Sequence, residues 1–263
     1  MQPTKTKTMQ KLLSPNDPAP FEVYNQKALD NSNYLIICDH ASNVIPKALG
    51  DMGISEEDRN RHIAWDIGAK DIATYLADHL GAPALLAGFS RLVIDVNRIP
   101  GHKKSIPETS DKTDVPANQN LTETEKQQRI DEIYTPYHNT FADALAKIRA
   151  RGEKPFVISI HSFTPQLKED TRQTEIGILW DHNKVIAQKM IETLKAQNPE
   201  MTIGSNDPYS FVDDPQFNHS LHNHDIHKST EYMLAEFRQD LVANPDQAHT
   251  YAEIFLKAFR SIR

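Results

Sequence analysis

Short apolar runs that end abruptly on polar residues constrain this chain more than any other feature. Tyr34–Cys38, Ala84–Gly88, Leu92–Val96, Phe156–Ile160, Ile176–Trp180 and Tyr232–Phe237 show almost no polar alternation. A strand apolar on both sides belongs inside a sheet that is covered on both faces. Helical patterns lie between these runs. Ile63, Ile67, Ile72, Leu76 and Leu80 predict a helix over 61–80, closed by Gly81 and Pro83. Thr122 and Glu125 form a capping-box pair. The helix that follows carries Ile130, Ile133, Tyr134, Tyr137, Phe141, Leu145 and Ile148 on one face, and Pro136 should kink or break it. Further helices are expected over 184–197 and from about residue 246, with a short strand near Thr202–Gly204. Strands alternating with helices predict an α/β fold, a single domain with a mixed, largely parallel central sheet flanked by helices. Residues 1–20 are polar and rich in proline, which predicts a flexible lead-in to a domain over 21–263. The segments 97–120 and 206–230 have no periodicity, and unstructured stretches that long are usually functional.

Composition narrows the function. Lys and Arg number 29 against 36 Asp and Glu, a net charge of −7, so nothing favours wrapping a phosphate backbone. The single cysteine, Cys38, excludes an internal disulfide framework and a cysteine-built zinc site. No apolar run approaches the roughly 20 residues of a membrane span. The opening MQPTKTKTMQKLL has no apolar stretch of a secretory signal, so the cytoplasm is the expected compartment. Twelve histidines exceed what a plain soluble domain needs.

In open α/β sheets a ligand binds beyond the carboxyl ends of the strands. Here those ends carry Asp39-His40, Asp95-Val-Asn97-Arg98, His161-Ser162, and Glu236 followed by Arg238 and Asp240. Two imidazoles, a carboxylate and an Asn-Arg pair suit a metal-dependent hydrolase with an anionic substrate: imidazole to hold zinc, an acid to move a proton, a guanidinium to grip a carboxylate. His62 and Asp66 stand four residues apart, a spacing that suits joint ligation or an exposed helical face. His219, His222, His224 and His227 suit either a metal tract or a solvated loop.

The ordered motifs CDHASN (38–43), HIAWDIGA (62–69), SRLVIDVNR (90–98), SIHSFTP (159–165), IGILWD (176–181), NDPYS (206–210) and AEFRQDL (235–241) resemble the N-formylglutamate amidohydrolase family. That family is similar in turn to zinc carboxypeptidases and aspartoacylases. The resemblance implies a zinc-carboxypeptidase-like fold and a zinc or other divalent-metal centre on His40 and His161. It also implies Glu236 as the catalytic acid–base. Asn97 and Arg98 would bind the substrate carboxylate, with Arg91, His224 or Arg238 completing recognition. The implied substrate is a small anionic N-acyl amino acid, N-formyl-L-glutamate foremost, and the implied pathway is histidine catabolism.

Two departures qualify the resemblance. The first His of carboxypeptidases belongs to an H-x-x-E motif, whereas this chain reads His40-Ala-Ser-Asn43. An amide is a poorer zinc ligand than a carboxylate, so Asp66 is the expected third ligand, with Asn43 and His62 as alternatives. The HIAWDIGA motif also differs in spelling from that of the formylglutamate enzymes. Amide hydrolysis therefore carries over better than the exact acyl group, and a non-catalytic carboxylate-binding protein is the competing reading. A Cys38 nucleophile is disfavoured because the thiol lies inside an apolar strand. A serine elbow at Gly88-Phe-Ser90-Arg-Leu92 lacks its second glycine and its following helix.

Overall fold

The computed structural model describes residues 11–210, 218–224 and 230–263. Its strands are β1 Phe21–Tyr24, β2 Tyr34–Cys38, β3 Ala84–Ala87, β4 Thr109–Ser110, β5 Thr113–Asp114, β6 Phe156–Phe163, β7 Gln166–Leu167, β8 Asp170–Thr171, β9 Ile176–Leu179, β10 Ile203–Ser205 and β11 Glu231–Arg238. The α-helices are α1 Glu56–Arg59, α2 Ala69–Leu80, α3 Glu123–Arg129, α4 Thr135–Ala150, α5 Lys184–Gln197, α6 His219–Asn223 and α7 Pro245–Ile262. Seven strands form one sheet in the order β1-β3-β2-β6-β11-β9-β10. The contiguous strands β3, β2, β6 and β11 pair in parallel, as do β9 and β10. The antiparallel pairings are β1 on β3 and β9 on β11. This is the mixed, largely parallel α/β sheet expected.

Both faces of the sheet are covered, which is why its strands are apolar throughout. One face packs Ile36, Ile158, Ile160 and Met233 against α2, α5 and α7. The other packs Leu35, Ile37, Val157 and Leu234 against Tyr137, Phe141, Leu145 and Ile148 of α4. Side chains alternate along a strand, so the series Leu35-Ile37, Val157-Ser159 and Tyr232-Leu234 continue onto Asp39, His161 and Glu236 on the α4 side. Period-two geometry thus gathers three polar groups from three adjacent strands. No helix among the described residues is long and apolar enough to cross a membrane.

Several expectations need correction. Leu92–Val96 is buried as expected but is not a strand. Its polar backbone is satisfied without a ladder: Asn118 Nδ2 donates to the Leu92 carbonyl at 2.8 Å, and Arg129 donates to that of Val93 at 2.8 Å. Apolar content reports burial, and here side-chain donors replace a neighbouring strand. The helix expected over 61–80 begins only at Ala69, and residues 61–68 form turns. Gly68 explains the break: its φ is +78°, and a Cβ there would lie 2.1 Å from the Val242 carbonyl oxygen. His62 and Asp66 are therefore not paired on a helical face.

Pro136 does not break the long helix. A π-helical turn, Ile130–Tyr134, separates α3 from α4, and the proline falls in the first turn of α4, where its missing N–H is tolerated. The capping box at Thr122 and Glu125 is formed as expected. The two expected loops hold short elements, the β4–β5 hairpin and α6, and β1 had no clear sequence signal. Residues 11–20 carry no strand or helix, yet Leu12 is buried and its N–H donates to Glu132. The first ten residues of the expected lead-in lie outside the described residues.

Candidate active site

Beyond the ends of β2, β6 and β11, a cavity of about 380 Å³ is lined by His40, Asp66, His161 and Glu236 at one end. Arg91, Asn97, Arg98, His62 and Tyr209 also line it. Asp66 is the hub. Its Oδ2 lies 3.2 Å from His40 Nδ1, 2.9 Å from His161 Nδ1 and 3.3 Å from the Ser162 N–H. The Asp66 backbone N–H is fixed on the His40 carbonyl at 3.0 Å, so a turn segment delivers this acid as firmly as a strand would. One ligand atom from each of these three buried residues lies within 4.8 Å of the other two.

The opposite ring nitrogens meet two further acids. His40 Nε2 is 2.9 Å from Asp95 Oδ1, and His161 Nε2 faces Asp39 Oδ2 at 3.5 Å. Metal-bound histidines typically turn their second nitrogen to a carboxylate in this way, which fixes the ring and raises its basicity. The acids are themselves held. Asp39 Oδ1 accepts from Tyr137 at 2.6 Å, and Asp95 Oδ2 accepts from Arg91 at 2.7 Å. Among the described residues, His161 Nε2 and Asp39 Oδ2 are both buried and meet only each other, at the longer distance of 3.5 Å. Two imidazoles and a carboxylate are a donor set that fits zinc or a similar divalent ion.

The charges are set by partners more than by burial. Burial and Arg91 push the His40 imidazole down, but Asp95 and Asp66 more than offset them and raise it. His161 is pushed up to about 10, with Asp39 and Asp66 overcoming its desolvation. Burial would raise Asp66, yet the two histidines hold its carboxyl far below the usual range. Glu236 behaves oppositely. It is 3% exposed, its Oε2 has no hydrogen-bond partner among the described residues, and burial raises it to about 7 despite the opposing pull of His161. In the β6–β11 register it stands directly beside His161. A carboxyl balanced near neutrality can both take and return a proton.

Arg98 and Asn97 reach the cavity from the turns after Leu92–Val96. Asn97 Oδ1 accepts from the Ser220 N–H at 2.9 Å, and one Arg98 guanidinium nitrogen donates to the Asn97 carbonyl at 2.7 Å. Arg91 lines the cavity while bonded to Asp95 and facing Asp66 at 3.5 Å. The remaining expected residues do not join the donor set around Asp66. Asn43 donates to the Arg59 carbonyl and to Asn60 Oδ1, away from His40. His62 lines the cavity but faces Asp111 at 3.3 Å and is not among the three residues around Asp66. Arg238 is bonded to Asp240 and to the carbonyls of Arg172 and Gln173, outside the cavity lining. His224 packs on His138 and Phe141, also outside it. His227 lies outside the described residues.

Sequence reading gave no role to Asp39, Asp95, Tyr137 or Tyr209. Asp39 and Asp95 did carry a signal: Asp39 abuts His40 and Asp95 stands two residues before Asn97, each at the close of an apolar run, and a ligating histidine typically has a carboxylate behind it.

The family model for N-formylglutamate amidohydrolase matches residues 32–243. Among solved structures, a gene product of Agrobacterium tumefaciens is 33% identical with a TM-score of 0.88, covering 96% of this chain and 99% of that one. An N-formylglutamate amidohydrolase from Ralstonia eutropha has a TM-score of 0.66 at 19% identity, covering 93% of this chain and 97% of that one, a likeness of fold. No curated protein gives a significant match to the sequence.

Proposed function

The chain belongs to the N-formylglutamate amidohydrolase family, and on that premise we propose that it is a metal-dependent hydrolase converting N-formyl-L-glutamate and water to L-glutamate and formate. One observation carries the reading: Glu236, buried with an unpartnered oxygen, opens onto the same cavity as the His40–Asp66–His161 donor set. His40, Asp66 and His161 would hold the metal, zinc on the resemblance, which when bound polarises a carbonyl and lowers the pKa of water. Asp95 and Asp39 orient the two imidazoles. Glu236 takes the proton of the attacking water and returns it to the departing amine nitrogen.

The substrate is held by its charge. Arg98 offers the planar fork that matches a carboxylate, and Asn97 has its side-chain Oδ1 engaged by the Ser220 N–H, which leaves its side-chain NH2 to donate. Arg91 adds positive potential at the cavity wall while keeping Asp95 ionised. A volume of about 380 Å³ accommodates a compact amino-acid derivative and excludes a folded peptide.

The test is a panel of N-formyl and N-acetyl amino acids given to metal-replete protein, with formate or acetate release as the readout. Release should be fastest from a formylated acidic amino acid. Metal-loaded protein that binds these acids and cleaves none would be a carboxylate-binding protein, and the hydrolase reading would be withdrawn.

A further inference from the structure

We propose that Tyr209 is a catalytic hydrogen-bond donor to the oxygen of the scissile carbonyl, and that the buried Arg172 holds it in that role; this rests on the hydrolase reading above. Three observations lead there. The first is register. Gly177 of β9 pairs with Glu236 of β11, and a Cβ on Gly177 would lie 2.1 Å from the Asp207 carbonyl oxygen. The 206–209 turn is thus laid over the strand beside Glu236, in space that only a glycine leaves open. Tyr209 follows two residues later and lines the cavity with Glu236 and His161.

The second observation is rigidity. Asn206 Nδ2 donates to the Trp180 carbonyl at 2.9 Å, and its Oδ1 accepts from the Trp180 N–H at 2.8 Å. Thr174 also bonds to Asp207. A donor can stabilise developing charge without reorganisation only if its backbone is fixed beforehand.

The third is the direction of one hydrogen bond. Arg172, itself buried, lies 4.6 Å from the Tyr209 ring and donates to the Tyr209 hydroxyl oxygen at 2.8 Å. A guanidinium has no acceptor, so the Tyr209 oxygen accepts here and the hydroxyl hydrogen is not spent on Arg172. Burial and the charge of Glu236 keep that phenol protonated, with Arg172 only partly opposing them. Tyr209 is a donor and not a base.

During hydrolysis the water oxygen adds to the acyl carbon, and the carbonyl electron pair moves onto its oxygen. The Tyr209 hydroxyl donates to that oxygen as the charge develops. When the carbon–nitrogen bond breaks, its electron pair goes to nitrogen, which takes the proton from Glu236. The carbonyl re-forms, and Tyr209 keeps its proton throughout.

The experiment uses the full chain loaded with zinc, N-formyl-L-glutamate and the acyl panel. Tyr209→Phe keeps the ring and its stacking on Arg172, so Tm and metal content should hold. Its kcat should fall by about 10²–10³ with KM changed less than about threefold. A raised KM at unchanged kcat would make Tyr209 a carboxylate binder and overturn the proposal, as would wild-type kinetics. Arg172→Met should lower kcat alone but add almost nothing in the Tyr209→Phe background, because both act through one hydroxyl. Equal kcat losses in both backgrounds would make Arg172 merely structural and overturn its positioning role. Wild-type protein that cleaves nothing in the panel overturns the hydrolase reading itself. An active wild type matched by Tyr209→Phe overturns only this inference.

Discussion

Two groups of histidines adjoin the polypeptide from Asp95 to Asn97, and their surroundings shift them in opposite directions. His40 and His161 are ringed by Asp39, Asp66 and Asp95, which outweigh burial and raise both imidazoles, His161 to about 10. His138, His219 and His224 pack around Tyr134 and Phe141 with no carboxylate bonded to any of them among the described residues. There burial dominates. His219 is lowered to about 4, His224 to about 3, and His138 is also lowered. His138 Nε2 meets the Val96 carbonyl at 2.8 Å, which can only accept. In the neutral ring, His138 Nδ1 must then accept from His224 Nε2 at 2.9 Å. One cluster is a His-Asp-His donor set backed by acids, and the other is a neutral brace behind Val96 and Asn97. Burial alone makes an imidazole neutral; carboxylates within reach turn it to chemistry.

The sharpest break in that comparison comes from Glu236, the buried acid beside His161. Glu236→Gln keeps the side-chain shape and should lower turnover by about 10²–10⁴ with metal content retained. Near-normal turnover would reject Glu236 as the proton carrier. A smaller effect is expected from the acid behind His40. Asp95→Asn should weaken metal affinity by roughly 10–100-fold, read by competition with a chelator, whereas His224→Gln in the brace should leave it unchanged. Equal losses in the two variants would erase the distinction between the clusters.

Arg98 tests whether the brace matters to substrate. Arg98→Lys should raise KM about tenfold for a formyl amino acid with a free α-carboxylate, since lysine cannot reproduce the fork. The corresponding α-amide should be affected far less, and equal losses on both would make Arg98 structural.

The smallest effect concerns acid stability. In the unfolded chain His219 and His224 titrate near 6.5, and in the folded chain near 4 and 3. Between those values the unfolded state binds more protons. Stability from the neutral brace is complete above about pH 6.5 and is lost as pH falls toward 4 and 3. Discounted for partial exposure, each histidine contributes on the order of 1 kcal/mol, or about 2–4 °C in Tm. His224→Gln should therefore flatten the fall in Tm between pH 7 and pH 4.5. A steeper fall would show that the brace is not held neutral.

Much of this was legible in the chain. The apolar runs at Tyr34–Cys38, Phe156–Ile160 and Tyr232–Phe237 are three adjacent strands, because only a doubly covered parallel sheet needs such runs. Their polar ends carry His40, His161 and Glu236, which the fold gathers on one cavity. Leu92–Val96 misled because apolar content encodes burial and says nothing of which donors meet the backbone. Asp66 was legible as a residue but not as a place, since the helix expected to carry it is a turn forced by the approach of Val242 to Gly68.

What the sequence determined by itself is the set of local decisions: the strand runs, the capping box at Thr122, the helix Lys184–Gln197, and the residue types at the strand ends. Those follow from side-chain periodicity and short-range hydrogen bonding, which neighbours along the chain can settle. What only the tertiary structure decided is which histidines face acids and which face one another. His40, Asp66, Asp95 and His161 come from separate stretches of the chain, and His138, His219 and His224 from two others. Their charges depend on contacts across many tens of residues, and electrostatics inside a protein is set by distance in space and by burial, neither of which is written in sequence spacing.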